Sequence, residues 1–490
     1  MTDIREIRFI EPDFDTLAEA EGRVAVCVPA EGTMGRAARR LNRLTRGAVK
    51  RAVEAERWGK LKDGDVLSLA FPAGLVAEGL DIVRLPRRPK PEDARRAGAA
   101  LARAAGTKAV TLLPDGTRTP EQIALGLALR SYAFTAHKSE KADAPAAARV
   151  MCDKADDVQA AAAPLLAVAE GVLFTRDLVN EPANVLSTVA FADRLLALKD
   201  LGVEVEVLEE SDMEALGMGA FLAVSKGSET PAKLVVMRWN GGGDAAPLAL
   251  VGKGVVFDTG GISIKPSQGM ESMTMDMGGA GTVAGTMMAL AKRGARANVV
   301  GLVGLVENMP DGKAYRPGDV LTSMKGDTIE VISTDAEGRL VLADVMWYAQ
   351  EHLKPAAMID LATLTGACII ALGNDNAAYY ATDETLSQAF AKACADEAEG
   401  AWRMPFGPGY AEQIKSDIAD IKNSGGRAAG SITAAEFLKR FARDDVPWIH
   451  IDIAGVAHVA KDLPLSGKGA TGWGVRALDR LVRDAYETKD

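Results

Sequence analysis

The sequence predicts an α/β protein of two domains, and three observations support this prediction. At 490 residues the chain is longer than one ordinary hydrophobic core requires. Short apolar runs with strand character alternate with helical segments, which is the order expected of sheets covered by helices. Hydrophobic residues make up 48% and charged residues 25%, a composition typical of globular proteins. We expect a smaller domain over residues 1–160 and a larger one over residues 161–490.

The smaller domain is predicted from strand-like runs that are separated by helical segments rich in Ala and Arg. The runs are Arg23–Val28, Val66–Ala70 and Lys108–Leu113, and the clearest helix is Pro91–Ala105. Repeated strand and helix favour a largely parallel sheet. An Ala-rich helix follows at about Ala155–Asp177, and we place the domain boundary within or just before it.

The larger domain is richer in glycine and has stronger signals for buried strands. Several apolar runs have the length of strands, and the segments between them show helical periodicity. The predicted strands are Lys233–Met237, Leu248–Val251, Ala297–Val303, Ala357–Leu361 and Trp448–Ile453, and the predicted helices include Gly281–Arg293 and Val341–His352.

Charge and targeting signals argue against several classes of protein. The 57 basic and 67 acidic residues give a net charge of −10, which disfavours a phosphate-binding surface over the whole chain, so nucleic acid is not indicated as a partner. The N-terminus lacks the basic segment and apolar run of a secretory signal. No continuous apolar run approaches the ~18 residues of a membrane span. We therefore expect a cytoplasmic protein without a membrane partner.

The cysteines and histidines restrict the kind of metal or redox site. The four cysteines (Cys27, Cys152, Cys368 and Cys394) are scattered without CxxC spacing, so we expect reduced, mostly buried thiols. The four histidines form no HExxH motif, which argues against the common histidine-based zinc hydrolase designs. Any metal in this protein must therefore be held by carboxylates.

The segment VGKGVVFDTGGISIKP, residues 251–266, is the densest group of candidate functional residues. A buried strand runs into a glycine-rich stretch that contains Lys253, Asp258 and Lys265. Loops that follow buried strands in α/β sheets are where functional groups collect. Charged side chains in such apolar surroundings need a partner or a ligand. A structural ion pair beside a tight turn is the alternative interpretation.

The segment MTMDMGGAG, residues 273–281, places Asp276 before a helix of small residues. Asp276 either binds a ligand or is the N-cap of that helix. Gly279–Ala284 also fits the dinucleotide pattern GxGxxA, but no apolar strand precedes it and the next acid, Glu307, is too far along. We expect these glycines to permit the close approach of a helix or ligand instead.

The segment STDAEGRLVLADVM, residues 333–346, is the third candidate. Asp335, Glu337 and Arg339 alternate, and in an extended segment this spacing directs all three side chains to one side. The residues after them have the apolar spacing of a buried helix. An ion pair in which Arg339 neutralises one acid is the alternative.

Together the three segments supply four acids and three basic groups, which leaves one negative charge unmatched. Buried carboxylates do not all stay ionised without cations. One or two divalent metal ions resolve this problem, and two ions ~3.5–4 Å apart that share carboxylates form a hydrolytic site. Ligation rich in carboxylates favours Mn, Mg or Zn without choosing between them.

These segments resemble the signature blocks of the leucyl aminopeptidase (cytosol aminopeptidase) family of two-metal exopeptidases. NEPAN at Asn180–Asn184, ATLTGA at Ala362–Ala367 and HIDIAG at His450–Gly455 are similar to further blocks of that family. The resemblance implies a variable N-terminal domain and a catalytic C-terminal domain with a central mixed sheet flanked by helices. It also implies a hydrolase that releases N-terminal amino acids from peptides by attack of a metal-bridging hydroxide, with leucine and other apolar residues preferred.

The resemblance implies a set of metal ligands. Asp258 and Glu337 would bridge two divalent metal ions, Mn or Zn. Lys253 and Asp276 would complete the ligands of one ion, and Asp335 would complete those of the other. Lys253 would have to be neutral, because only a free amine coordinates a metal.

The resemblance also implies catalytic and pocket residues. Lys265 would stay cationic and polarise the scissile carbonyl or its oxyanion. Arg339, with Gly338 and Leu340, would hold a bicarbonate that relays the proton of the attacking water. The positions that would line the pocket for the substrate side chain are Met273, Ser333, Thr363, Leu364 and Ala454. The family usually has Asn where this chain has Ser333, so that loop is expected to differ in shape or substrate contacts.

The resemblance further implies a homo-hexamer that encloses its active sites and accepts short peptides with free N-termini. Two alternatives belong to other classes of protein. A nucleotide-dependent oxidoreductase would use Gly279–Ala284 and bind NAD without taking up metal. A silent binding protein would keep the fold, but every metal and catalytic residue that the resemblance requires is present.

Overall fold

The structure is a computed structural model that describes residues 2–140 and 143–488. The chain divides into two units, Met1–Leu173 with Lys461–Gly467 and Phe174–Ala460 with Lys468–Asp490. Each unit has its own sheet with helices, so the predicted class of two α/β domains is confirmed. The assignment of separate roles to residues 1–160 and 161–490 stays a prediction.

The N-terminal unit is built on a six-stranded sheet. Its strands are β1 (Ile7–Ile10), β2 (Arg23–Val28), β3 (Val66–Ala70), β4 (Gly79–Arg84), β5 (Val110–Leu113) and β6 (Ala148–Met151). The strand order is β1-β6-β5-β2-β4-β3, and all neighbours are parallel except β3 and β4. The central strand β2 is buried on both faces, which explains its continuous apolar run.

Helices cover this sheet with small apolar side chains. In the described part of the unit they are α1 (Arg36–Leu44), α2 (Ala48–Val53), α3 (Glu56–Gly59), α4 (Pro91–Ala105) and α5 (Pro120–Arg130). Both α4 and α5 begin with proline. Proline suits the first helical turn because a backbone N–H there has no acceptor within the helix, so its absence breaks no hydrogen bond. Ala37, Ala38 and Leu41 of α1 pack in the core with the apolar residues of β2.

Helix α6 (Ala155–Asn180) runs across the division between the two units. By length and composition alone it is long and apolar enough to cross a membrane, although charged residues such as Glu170 interrupt its apolar run. Half of its most apolar 18-residue stretch (50%) is buried inside the protein. A buried core helix has the same length and composition, so α6 is weak support for a membrane contact.

The C-terminal unit is built on an eight-stranded mixed sheet, with two smaller sheets beside it. All strands of the unit are β7 (Glu204–Leu208), β8 (Lys233–Asn240), β9 (Leu248–Asp258), β10 (Asn298–Asn308), β11 (Val320–Thr322), β12 (Thr328–Glu330), β13 (Ala357–Ala362), β14 (Ala377–Ala381), β15 (Ala401–Arg403), β16 (Ile421–Lys422), β17 (Trp448–Asp452), β18 (His458–Val459) and β19 (Gly469–Ala470). The large sheet has the order β15-β14-β17-β13-β9-β10-β8-β7. Its four central strands β17, β13, β9 and β10 are parallel, and β14 and β8 are antiparallel to them.

Helices lie on both faces of this large sheet. They are α7 (Thr188–Leu196), α8 (Glu210–Ala215), α9 (Gly219–Ser225), α10 (Gly278–Lys292), α11 (Gly338–Leu353), α12 (Gly366–Leu372), α13 (Glu384–Glu397), α14 (Pro408–Glu412), α15 (Gly430–Lys439) and α16 (Val475–Ala485). Leu248 and Leu250 of β9 face the core formed with α10, whereas Ala249 and Val251 face the core formed with α11. Side chains alternate along a strand, so a strand between two cores is apolar throughout.

Helix α10 packs very close to the sheet, which explains the glycines of the GxGxxA pattern. A Cβ on Gly279 would lie 2.0 Å from the carbonyl oxygen of Leu361 on β13. The pattern lies inside α10 and follows the 3₁₀ turn Met270–Met275 rather than a strand. The strand context of a dinucleotide fingerprint is therefore missing, and the expected role of these glycines in close packing is confirmed.

Candidate metal centre

The candidate site lies at the carboxyl ends of central parallel strands of the larger sheet, where α/β proteins place functional groups. Strand β9 continues past its predicted end at Val251 and includes both Lys253 and Asp258. The prediction ended too early because charged residues interrupt the apolar pattern there. Each of these two residues is only 2% exposed, so both need partners inside the protein.

Lys253 contacts two carboxylates that come from other segments. Its Nζ lies 2.8 and 2.7 Å from the two carboxylate oxygens of Asp276 and 2.8 Å from Oε1 of Glu337. It also donates to the carbonyl oxygen of Thr363 at 3.1 Å, and the Thr363 hydroxyl donates to Oδ1 of Asp276 at 2.8 Å. The N-cap of α10 is Met277, so the interpretation of Asp276 as that cap was wrong.

Lys265 lies between two further carboxylates. Its Nζ is 2.6 Å from Oδ2 of Asp258 and forms a close ion pair with Oδ1 of Asp335. The other oxygen of Asp258 accepts from the backbone N–H of Gly260 at 2.9 Å and from Nδ2 of Asn308 at 2.8 Å. Both lysines of the first candidate segment therefore form ion pairs with carboxylates that the sequence assigns to metal ions.

Asp335 and Glu337 reach the cluster from a turn and a helix N-terminus. Glu337 has helical backbone angles as the N-cap of α11, and Arg339 lies in the first turn of that helix. The extended geometry predicted for this segment was wrong, because α11 begins before the alternation is complete. The turn still brings the acids together: one oxygen each from Asp258, Asp335 and Glu337 lies within 4.8 Å of the others.

Arg339 does not neutralise an acid of the cluster, so that alternative was wrong. Its Nη1 donates to the carbonyl oxygen of Asn423 at 2.8 Å, and its Nε is buried without a hydrogen-bond partner. It forms no ion pair with a carboxylate in residues 2–140 and 143–488. Burial lowers the pKa of this guanidinium to about 10. The nearby carboxylates of Glu337, Asp452 and Asp335 raise the same pKa, so the charge of Arg339 is partly balanced without a direct ion pair.

The two neighbours of Arg339, Gly338 and Leu340, have different positions in the structure. A Cβ on Gly338 would lie 2.5 Å from Cε of Lys253, so the absence of a side chain makes room for that lysine. The N–H of Leu340 donates to the carbonyl oxygen of Glu337 at 2.9 Å, and its side chain lies in the core. Of these three residues only Arg339 has a charged side chain, and its role toward bicarbonate stays a prediction.

Burial and crowding of like charges determine the electrostatics of the cluster. Burial raises the pKa of Asp258 and of Asp276, and the nearby Glu337 carboxylate raises both further. Burial alone would lower the pKa of Lys253 and of Lys265, but the adjacent carboxylates outweigh it, so each pKa lies above its ordinary value. A cation bound beside these carboxylates would stabilise their ionised form.

The residues present fit a divalent metal ion. Oε2 of Glu337 is buried without a hydrogen-bond partner, whereas most buried polar atoms have one. This oxygen belongs to a residue of the converging carboxylate group, and oxygen-rich groups of this kind bind divalent cations. The metal ligands that the family resemblance implies all lie in this cluster: Lys253, Asp258, Asp276, Asp335 and Glu337.

Two of the predicted pocket residues, Leu364 and Ala454, are joined through one buried acid, and a third, Thr363, lies next to them in the chain. The backbone N–H groups of Leu364 and Ala454 both donate to Oδ1 of Asp452, at 3.1 and 3.2 Å. Thr363 precedes Leu364 and contacts Asp276 and Lys253 as described. These residues thus share a fixed backbone arrangement beside the cluster, and their use as a substrate pocket stays a prediction.

The other two predicted pocket residues lie beside metal-ligand candidates. The hydroxyl of Ser333 accepts from the N–H of Asp335 at 3.2 Å, so this side chain shapes the turn that presents Asp335. Met273 is half-buried in the 3₁₀ turn before α10, and its carbonyl oxygen accepts from the N–H of Asp276 at 3.2 Å.

Sequence analysis missed three residues that hold the site together. Asn308, Asn423 and Asp452 are each 0% exposed and bind backbone or side-chain groups of the site segments. Asn423 binds the backbone N–H of Ile332 at 2.8 Å and the carbonyl oxygen of Ser333 at 2.7 Å. Asn308 and Asp452 had a sequence signal, because each ends a buried strand. Asn423 had none, because it lies in a glycine-rich stretch without periodicity.

Comparison with known proteins identifies the family of this chain. The model of the cytosol aminopeptidase family, catalytic domain, matches residues 173–479. A probable cytosol aminopeptidase from Dinoroseobacter shibae is 63% identical over 99% of this chain and 100% of its own length. Another, from Cereibacter sphaeroides, is 58% identical over 99% of this chain and 100% of its own.

A solved structure has the same fold. The bottromycin maturation enzyme BotP in complex with Mn has 33% sequence identity and a TM-score of 0.82, and the match covers 95% of this chain and 99% of that chain. The family resemblance of the signature segments is thus confirmed by both sequence and structure. The chain belongs to the cytosol aminopeptidase family, and it is a metal-dependent aminopeptidase.

Proposed function

We propose that this aminopeptidase releases leucine and other apolar residues from the N-termini of short peptides with two divalent metal ions, Mn²⁺ or Zn²⁺. The observation that supports the proposal is the convergence of Asp258, Asp335 and Glu337 beside the pair of Lys253 and Asp276. Asp258 and Glu337 would be shared by the two ions. The bound ions would supply Lewis acidity and an activated water.

The residues around the cluster have separate tasks in this proposal. Lys265 holds its positive charge at the edge of the cluster and polarises the scissile carbonyl or stabilises its oxyanion. The guanidinium of Arg339, with Gly338 and Leu340, would hold a bicarbonate, which would supply a proton acceptor when bound. The chain then needs no histidine as a general base.

The proposed substrate class follows from the pocket residues and from the free amine of a peptide. Met273, Leu364 and Ala454 are apolar, so they suit an apolar side chain at the N-terminus of the substrate. A free amine can bind a metal ion, whereas an acylated nitrogen is a far poorer ligand. We place the enzyme in the cytoplasm because its relatives are named cytosol aminopeptidases and its cysteines are free.

The test is metal analysis of the purified protein together with a panel of amino-acid amides. We expect two metal ions per chain, loss of activity with a chelator, and recovery with Mn²⁺ or Zn²⁺. Leucine amide should be cleaved faster than the amides of charged residues, and N-acetyl-leucine amide should not be cleaved. Full activity after complete metal removal would contradict the proposal, and one ion per chain would contradict its two-metal part.

A further inference from the structure

We propose that Asn308 is a positioning residue of the metal centre, which fixes Asp258 so that only one of its carboxylate oxygens faces the metal positions. This inference rests on the proposed two-metal site. Asn308 is not one of the proposed ligands, and it acts through Asp258 and the turn before Asp335.

The position of Asn308 in the sheet directs its side chain to Asp258. Asn308 is the last residue of β10 and Asp258 is the last residue of β9, and the two are paired in register. The register shifts between Val306 and Asn308, which marks a bulge just before the pair. Bulges re-aim side chains beside functional sites. Asn308 is 0% exposed, so its amide has no access to solvent.

The hydrogen bonds to Asp258 separate the tasks of its two oxygens. Oδ1 accepts from Nδ2 of Asn308 at 2.8 Å and from the N–H of Gly260 at 2.9 Å. Oδ2 faces the cationic Nζ of Lys265 at 2.6 Å instead. Because two donors occupy Oδ1, Oδ2 is the oxygen available to a cation. A carboxylate held in this way would offer one oxygen, Oδ2, to a cation bound there.

The second hydrogen of the same amide connects Asp258 to the other acidic segment. Nδ2 of Asn308 also donates to the carbonyl oxygen of Thr334 at 3.0 Å, directly before Asp335. The hydroxyl of Tyr315 donates to that same carbonyl oxygen at 2.8 Å. A carboxylate at position 308 could not donate to either oxygen, and a serine would be too short to span them. One amide thus fixes the distance between two predicted metal ligands.

The experiment compares metal binding by the apoprotein of the wild type and of three variants. Asn308→Ala deletes both donations, and Asn308→Leu deletes them while filling most of the space. Tyr315→Phe is the matched control, because it removes the other donor to Thr334 and leaves Asp258 untouched. Mn²⁺ affinity and stoichiometry are measured by calorimetry, and thermal melting of each apoprotein reports on the fold.

We expect both Asn308 variants to bind Mn²⁺ about 10–100-fold more weakly, the usual effect of losing a partner of a metal ligand. Tyr315→Phe should bind with nearly the wild-type affinity. Electron paramagnetic resonance adds a readout that a purely structural role does not change: the wild type should show two exchange-coupled Mn²⁺ ions, and the Asn308 variants weaker coupling or one ion.

Three outcomes would overturn the inference. The first is wild-type affinity and coupling in an Asn308 variant that folds. The second is an equal loss of affinity in Tyr315→Phe, which would assign the effect to the turn rather than to Asp258. The third is a melting temperature of the apoprotein that falls in both Asn308 variants while affinity in the remaining folded protein is unchanged. If the wild type itself binds no second ion, the two-metal proposal fails instead.

Discussion

Glu337 is the residue that joins the candidate metal centre to the start of helix α11. It contacts Lys253, belongs to the converging carboxylates, has one partnerless buried oxygen, and is the N-cap of α11. The same carboxyl group therefore connects both predicted metal positions to a rigid helix. Loss of this carboxylate would leave Lys253 with Asp276 as its remaining ion-pair partner and would remove a predicted ligand of both metal ions.

Replacing Glu337 by alanine should remove activity together with the metal. We expect Glu337→Ala to retain less than one ion per chain, because both ions lose a ligand, and to have no measurable aminopeptidase activity. The control is Glu351→Ala, which lies on the same helix and is paired at the surface with Arg443. Elemental analysis and amide hydrolysis measure the two effects, and an active Glu337→Ala enzyme with full metal content would contradict the two-metal site.

Replacing Lys265 should separate catalysis from metal binding. We expect Lys265→Ala to keep its metal ions and to lose roughly 10²–10³ in kcat, the typical effect of deleting an oxyanion donor. The reason is that its Nζ lies against Asp258 and Asp335 but offers no ligand atom while it is protonated. If metal content falls in proportion to activity, Lys265 has a structural role instead.

Residue identities in the centre were predictable, whereas their supporting contacts were not. Lys253, Asp258 and Asp276 stand out because charged residues interrupt apolar runs, and the structure brings them together as expected. Asn423 could not be predicted, since its importance comes from backbone groups about ninety residues away in the chain. No local sequence pattern encodes such a contact.

At the scale of secondary-structure elements, the N-terminus of α11 shows how closely helix and strand meet at the centre. Gly338 begins that helix, and the site of its missing Cβ lies 2.5 Å from Cε of Lys253 on β9. Lys253 is buried and cannot move aside into solvent. The helix therefore reaches its position only because residue 338 has no side chain.

Gly338→Ala should accordingly weaken metal binding. The loss is expected even though alanine favours a helix over glycine by roughly 1 kcal/mol of intrinsic helix propensity. We expect lower Mn²⁺ affinity and no rise in melting temperature, because the added methyl group displaces Lys253. The matched control is Gly409→Ala in α14, where an added Cβ meets no atom within 4 Å. Calorimetry and thermal melting measure both variants, and unchanged affinity in Gly338→Ala would show that Lys253 adapts.

Elements were predictable where one physical pattern acted alone. Arg23–Val28 and Pro91–Ala105 have their predicted bounds, since apolar runs and helix-start residues suffice there. Strand β9 was predicted too short because Lys253 and Asp258 interrupt its apolar pattern, although Val255 and Val256 between them pack in the cores. The turn before α11 was predicted as extended because three alternating residues are too few to separate a strand from a helix start.

At the scale of the whole molecule, the reactivity of the four buried cysteines measures whether the chain is folded. All four are free and buried, as the sequence predicted. Burial raises the pKa of the Cys27 thiol to about 12 and that of Cys152 to about 11. We expect no reaction of the native protein with a disulfide reagent at pH 8, and four reactive thiols after denaturation in urea. A thiol that reacts rapidly in the native protein would show that its segment opens locally.

The family resemblance predicts a hexamer, and the isolated chain has apolar side chains that such an assembly could cover. Phe71 is 79% exposed, Ile370 is 87% exposed and Trp402 is 62% exposed, and large exposed apolar groups mark interaction surfaces when they cluster. We expect a mass in solution of six times the 51.5 kDa of one chain. Closed symmetric assembly around the active sites would admit short peptides and exclude folded proteins. The measurements are mass photometry and the cleavage rates of a short peptide and of a folded protein substrate. A stable, fully active monomer would contradict the enclosed assembly, and so would rapid cleavage of the folded substrate. Neither result would affect the chemistry proposed for the metal centre.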